Sequence, residues 1–197
     1  MKFSKEDMTS YVAILVIVVS IASIGMTFTG YAAISSKEAV VNVTVETSAA
    51  INFTVALVDF GTGSVNMDET GATLETGETP LLGSWTNEPA ALSLENIGNV
   101  DITLKLYANA AAAAYLGGTD PLFQYNVINK TSNDNACQGA AGAWVNFATT
   151  PGAEICDPLS WEDTKDEIDI DIKLYIPVDA AIGTKTATIT ATGEYTE

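Results

Sequence analysis

The sequence predicts an all-β fold, an antiparallel β-sandwich preceded by one N-terminal hydrophobic helix. Three observations carry this prediction. Successive segments alternate apolar and polar residues with period two, as strands with one buried face do. Gly-, Asn- and Pro-containing turn signals separate those segments, and no amphipathic helix intervenes, so a parallel α/β sheet is disfavoured. Ahead of them the run Thr9–Ser36 carries no charge.

That run is longer than the roughly 7–15 apolar residues of an export signal and reaches the ~20 residues of a spanning helix. Its Val, Ile and Leu side chains between Val12 and Ile24, together with Phe28, favour insertion by roughly 3–6 kcal/mol. β-branched residues form helices modestly in water, but in lipid every backbone group must bond within its own segment, which overrides that preference. Lys2 and Lys5 precede the run and Glu6 and Asp7 partly offset them, giving a weak bias toward a cytoplasmic N-terminus with the remainder outside. The predicted organisation is a membrane or export helix in residues 1–36 and an extracellular domain in 37–197. The small residues of "GYAA" (Gly30–Ala33) offer a cleavage point near Ala32, so removal and retention of the helix both remain open.

Strands follow in order. "VVNVTVET" (Val40–Thr47) sets Val41, Val43 and Val45 against Asn42, Thr44 and Glu46. "INFTVALVDF" (Ile51–Phe60) sets Ile51, Phe53, Val55 and Leu57 on one side. Leu92 and Leu94 alternate in "ALSLEN", and Val100, Ile102, Leu104 and Leu106 in "VDITLKLYA". "LFQYNVI" contributes Phe123, Tyr125 and Val127. "IDIDIKLYI" turns Ile168, Ile170, Ile172 and Leu174 inward, with Asp169, Asp171 and Lys173 facing water. "TKTATITATGEY" places Ala187, Ile189 and Ala191 opposite its threonines. "FGTGS", "ETGETP", "NIGNV" and "IPVDAAIGT" are the turns, and about eight short strands so spaced suit an Ig-like or jelly-roll sandwich. "ANAAAAAYLGG" (Ala108–Gly118) predicts a short connecting helix or turn ending at its glycine pair.

The stretch at about 131–164 breaks the alternation and holds Cys137, Cys156, Trp144 and Trp161. We expect a disulfide between Cys137 and Cys156, tying an excursion at one end of the sandwich, with a short strand at "AWVNF". Closing a loop of that size stabilises by roughly 3 kcal/mol in the chain-entropy model.

Charge and missing residue types narrow the function. With 25 acidic residues, 8 basic ones and a net charge of −17, the surface repels nucleic acid and anionic lipid headgroups. Histidine is absent, so Ser-His-Asp and Cys-His catalysis have no base, and two cysteines alone are too few for a zinc site. No "GxxxxGK[ST]" loop occurs to cradle phosphate. Paired carboxylates can cleave glycosides, but Asp169 and Asp171 alternate with isoleucines and so belong to a solvated face. Glu162, Asp163, Asp166 and Glu167 offer oxygen ligands at a spacing unlike an EF-hand loop. We expect no enzyme activity, catalytic residue, metal or cofactor. Three N-x-[ST] sequons begin at Asn42, Asn52 and Asn129, each a glycosylation acceptor if exported and exposed.

At "VDFGTGSV" and then "LSLENIGNVDITLKLYA" the chain resembles the camelysin/TasA-type surface-filament proteins of bacteria and their archaeal pilus relatives. The shared element is "L-x-L-x-N-x-G-N", here Leu92, Leu94, Asn96, Gly98 and Asn99, and "IPVDAAIGTKTATITATGEY" is similar to the last two strands of such modules. The likeness covers Val40–Asn109 and Ile168–Glu197; the long hydrophobic run and the cysteine excursion depart from it. A retained helix followed by a β-sandwich also resembles archaeal pilins, although "KFSKEDMTSY" lacks their Gly or Ala after a basic residue at the processing point. The resemblance implies a structural cell-surface protein, a subunit of a pilus-like extracellular filament that self-associates by lending an N-terminal strand to a neighbour's sheet edge. The donor would be "VVNVTVETSAAINF". The alternative is a single-pass membrane-anchored surface or envelope-layer binding domain that does not polymerise.

Overall fold

Two antiparallel sheets and almost no helix make up the computed structural model, which describes residues 42–130, 135–139, 142–152 and 154–195. The chain divides into two compact units, 1–44 and 45–197, and both sheets belong to the second. The hydrophobic helix expected within residues 1–36 lies outside the described residues.

The larger sheet contains β1 (Ile51–Val55), β2 (Gly71–Glu75), β3 (Leu92–Asn96), β5 (Leu122–Asn129), β6 (Val145–Asn146) and β8 (Glu167–Pro177). Its order is β1-β3-β8-β5-β6, with β2 also beside β8. The smaller sheet is β7-β4-β9, from Glu154–Leu159, Ile102–Ala108 and Ile189–Glu194. One core cluster draws on both. Ile168, Ile170, Ile172 and Leu174 of β8 and Phe123, Tyr125 and Val127 of β5 are buried as the alternation predicts, together with Ile102, Leu104 and Leu106 of β4. α1 (Ala112–Tyr115) is a single turn that ends at Gly117 and Gly118, both at positive φ, where a side chain would be strained.

β8 is long enough to take two partners along one edge. Its first half pairs with β3 and its second half with β2. Thr76 fills the change of partner. Its N–H donates to Ile172 O (3.0 Å), its hydroxyl accepts from Ile172 N–H (3.1 Å) and donates to Asp171 Oδ1 (2.9 Å). Both backbone groups of Ile172 are therefore paired at the gap.

Three expectations need correcting. Residues 42–50 form no strand, although Val43 and Val45 alternate as a strand would; both are exposed, at 83% and 78%. The run Ile51–Phe60 pairs only through Val55, with an irregular register after Phe53, and Leu57 faces solvent at 74% rather than the core. The cysteine-bearing stretch carries β6 within "AWVNF" as expected, but it is not only an excursion, because it also supplies the whole of β7.

The passage from β3 in one sheet to β4 in the other turns on Asn96, which is 1% exposed. Its Nδ2 donates to Val100 O (2.9 Å) and Leu159 O (3.3 Å), and its Oδ1 accepts from Gly98 N–H (3.0 Å). One amide thus serves the turn and the end of β7 together. Replacing Asn96 with Ala strands two carbonyls and one N–H in a buried place. We expect Asn96→Ala to lower unfolding stability by about 2–4 kcal/mol, read as a fall in the urea midpoint with unchanged slope. Converting both cysteines to Ser is expected to cost about 3 kcal/mol in the same assay.

Candidate functional site

The two long sides of the sheet pair differ. On one side the chain is laced together. Asn129, at the end of β5, accepts Cys137 N–H at its Oδ1 (2.8 Å). Residues 136–138 then run beside β7, through Ser160 N–H to Ala136 O (2.9 Å) and Gln138 N–H to Pro158 O (3.0 Å). The disulfide joins Cys137 to Cys156 of β7, with Cα atoms 5.2 Å apart. This buried bridge suits an exported protein. Behind it Phe147 packs on Phe123 and Tyr125, ring centroids 4.3 and 4.8 Å apart.

On the other side the two sheets end in β1 and β9. Among the described residues no strand pairs with the outer edge of either. At one end the two strands close on each other, because Gly193 has no Cβ to hold off Ile51 and Ile102. Toward the opposite end they part and leave a groove of about 280 Å³ whose lining side chains are mostly apolar. Phe53, Leu57 and Phe60 wall it from the β1 side, Ala187 and Ile189 from the β9 side, and Ile172 lies at its base. An unpaired strand edge bordering such a groove is a template for another strand whose alternate residues are apolar.

The chain reaches β1 at the closed end. Asn99 accepts Ser48 N–H at its Oδ1 (2.7 Å) and donates from Nδ2 to Glu46 O (2.9 Å), while its own N–H donates to Ser48 O (3.0 Å). Gly98 beside it is needed as glycine, since a Cβ there would meet the Ser48 carbonyl. The Asn96, Gly98 and Asn99 of the sequence element therefore each have a placed role. Residues 45–47 are exposed and are tied at Glu46 to this turn, at the end opposite the groove mouth.

The other singled-out residues fall as follows. Asn52 is exposed on β1, and Asn42 is exposed. Asn129 is half-buried and its amide is engaged with the Cys137 backbone, so a glycan there would displace that contact. The acidic quartet does not converge: Glu162 pairs with Lys165 (3.2 Å), and Glu167 meets Lys130 (2.6 Å) and Thr54 (2.9 Å). Among the described residues no group of three or more acidic or sulfur ligands is placed to hold a metal. The groove itself escaped the sequence reading. Its walls come from residues far apart in the chain, and the one hint was the surplus apolar stretch Ala56–Phe60 after β1.

Comparison with family models, curated proteins and solved structures found no match for this chain.

Two carboxylates on the outer face of β8 are pushed in opposite directions. The Lys130 ammonium holds Glu167 below its ordinary value of 4.5, helped by Thr54 and Ser93. Burial raises Asp171 above its ordinary 3.8, and Glu75, Asp169 and Glu78 add to that. Glu167 thus contributes stability above about 4.5 that is lost as pH falls through its folded value. Asp171 does the reverse: the folded state holds its proton more tightly, so stability declines as pH rises past 3.8. Asp171→Asn keeps the acceptor for Thr76 and removes the half-buried charge. The expected outcome is a higher melting temperature at neutral pH than the parent, with the difference shrinking as pH approaches 4.

Proposed function

We propose that this protein is a structural subunit of an extracellular, pilus-like filament at the cell surface, as its sequence resemblance suggests. We read the two sheets as layers of a β-sandwich and the groove between β1 and β9 as the acceptor for a strand from a neighbouring copy. The donor is the segment around Asn42–Thr47, with Val43 and Val45 turned into the groove. The observation that carries this reading is one of position. The alternating chain before Ser48 forms no strand and joins the sheet pair at one end, while an unpaired edge beside a groove of mostly apolar side chains opens toward the other. Such a contact is head-to-tail, and repeated with a rotation that does not close into a ring it extends a fibre. The apolar run at Thr9–Ser36 then serves export or anchoring, and the exposed Asn42 and Asn52 are the sequons we expect to carry glycans.

Val43 and Val45 are exposed within a single copy, so replacing both with Asp is expected to leave the melting curve within about 0.5 kcal/mol of the parent. Electron microscopy of sheared surface fractions should show fibres for the parent and none for Val43→Asp/Val45→Asp. Fibres that persist in the variant would reject strand donation by this segment. A parent that stays monomeric after detergent extraction would point instead to the anchored, non-polymerising domain.

A further inference from the structure

The closed end of the sheet pair carries a second cavity, distinct from the groove. It is a cleft of about 620 Å³ lined by the carboxylates of Asp101, Glu154 and Asp157 and by the rings of Trp161 and Tyr195. Among the described residues no basic side chain lines it. Lys105, two residues beyond Thr103 on β4, is drawn to Glu194 on β9 at 2.7 Å. Two of the carboxylates are fixed. Asp157 accepts the Thr103 hydroxyl (2.7 Å) and Asp101 accepts the backbone N–H of Trp161 (3.1 Å), so both carboxylates are held in the cleft that Trp161 also lines. Trp161 is 49% exposed and Tyr195 45% exposed. Aromatic faces next to ionised carboxylates favour an organic cation, through ring quadrupole and charge together. A metal ion is a poor fit, since these carboxylates are not grouped closely enough to coordinate one.

All basic residues of this chain are lysines. Among the described lysines, Lys105, Lys130, Lys165 and Lys173 each pair with a carboxylate, and Lys173 also stands over the Trp144 ring at 4.1 Å. Lys185 has no such partner within the described residues. It lies in the connection between β8 and β9, at the end opposite the cleft, beside the fully exposed Ile182.

We propose that the cleft of one copy receives Lys185 of the next. This rests on the head-to-tail reading above, which sets the cleft-bearing end of one unit against the Lys185-bearing end of its neighbour. The ammonium enters the negative field of the cleft and pairs with one of its carboxylates, and the lysine stem and Ile182 lie against Trp161 and Tyr195. Strand donation gives the joint its affinity; the charge contact fixes the rotation of one unit on the other and makes assembly salt-sensitive.

The test uses the full-length protein. Fibres treated with a carbodiimide, which joins touching amines and carboxylates directly, are digested and examined by mass spectrometry. The expected product is an amide between Lys185 and Glu154, Asp157 or Asp101 across two copies. Lys185→Glu and Glu154→Lys should each raise the concentration needed for assembly about tenfold at roughly 0.15 M salt, and combining them should restore assembly. Glu154 is exposed and Lys185 half-buried, and circular dichroism checks that each variant folds. Normal assembly of Lys185→Glu with no Lys185 cross-link overturns this contact while the filament reading stands. Normal assembly with loss of adhesion to an outside saccharide or cationic surface in Trp161→Ala also overturns it, assigning the cleft to an external ligand. If the parent protein never assembles, both readings fall together.

Discussion

The structure depends on one buried amide. A chain that passes from one sheet to another must bring polar backbone through the edge of an apolar core, and every such group needs a partner there. Asn96 meets that constraint with both ends of its side chain, binding the turn at Val100 and Gly98 and the last carbonyl of β7 at Leu159. Two segments distant in sequence, the β3–β4 turn and the end of β7, thereby share one fixed point. The same turn, through Asn99, holds the incoming chain at Ser48.

From that point the two sides of the molecule diverge for chemical reasons. The Cys137–Cys156 bridge, the Asn129 clamp and the backbone bonds of residues 136–138 cover the outer edge of β7. The β1–β9 side has no equivalent device among the described residues. An exposed strand edge is usually blunted by charge, proline or a bulge, because it invites pairing with another chain. β9 offers instead Ile189, Ala191 and two threonines, with its one acidic residue, Glu194, at the closed end. An edge left open beside apolar side chains is coherent as an interface and costly as a free surface.

Much of this fold was legible in the sequence, and the remainder was hidden for physical reasons. β8 announced itself because four isoleucine or leucine residues alternate with charged ones over an unbroken run. β2 did not, since "GATLE" presents only Ala72 and Leu74 to the core and owes its strand state to the surplus length of β8. β7 was hidden by its cysteine and proline and by a register that shifts twice against β4. The stretch Val40–Thr47 shows the opposite error. Its alternation reports that the segment has an apolar face to bury, and says nothing of whose surface buries it. The grooves and clefts were beyond the sequence altogether, because they are assembled from elements whose neighbours only the topology determines.

The attachment of the incoming chain bears on what the unit does under tension. A pull on the segment before Ser48 runs along β1, parallel to the strand and perpendicular to the hydrogen bonds that join it to β3 and, through Asn99, to the turn beyond. Loaded that way the bonds share the force and must fail together, as a lap joint does, rather than opening one after another like a zip. A thread of such units would transmit load through β1 and β3 and leave the disulfide-laced side slack.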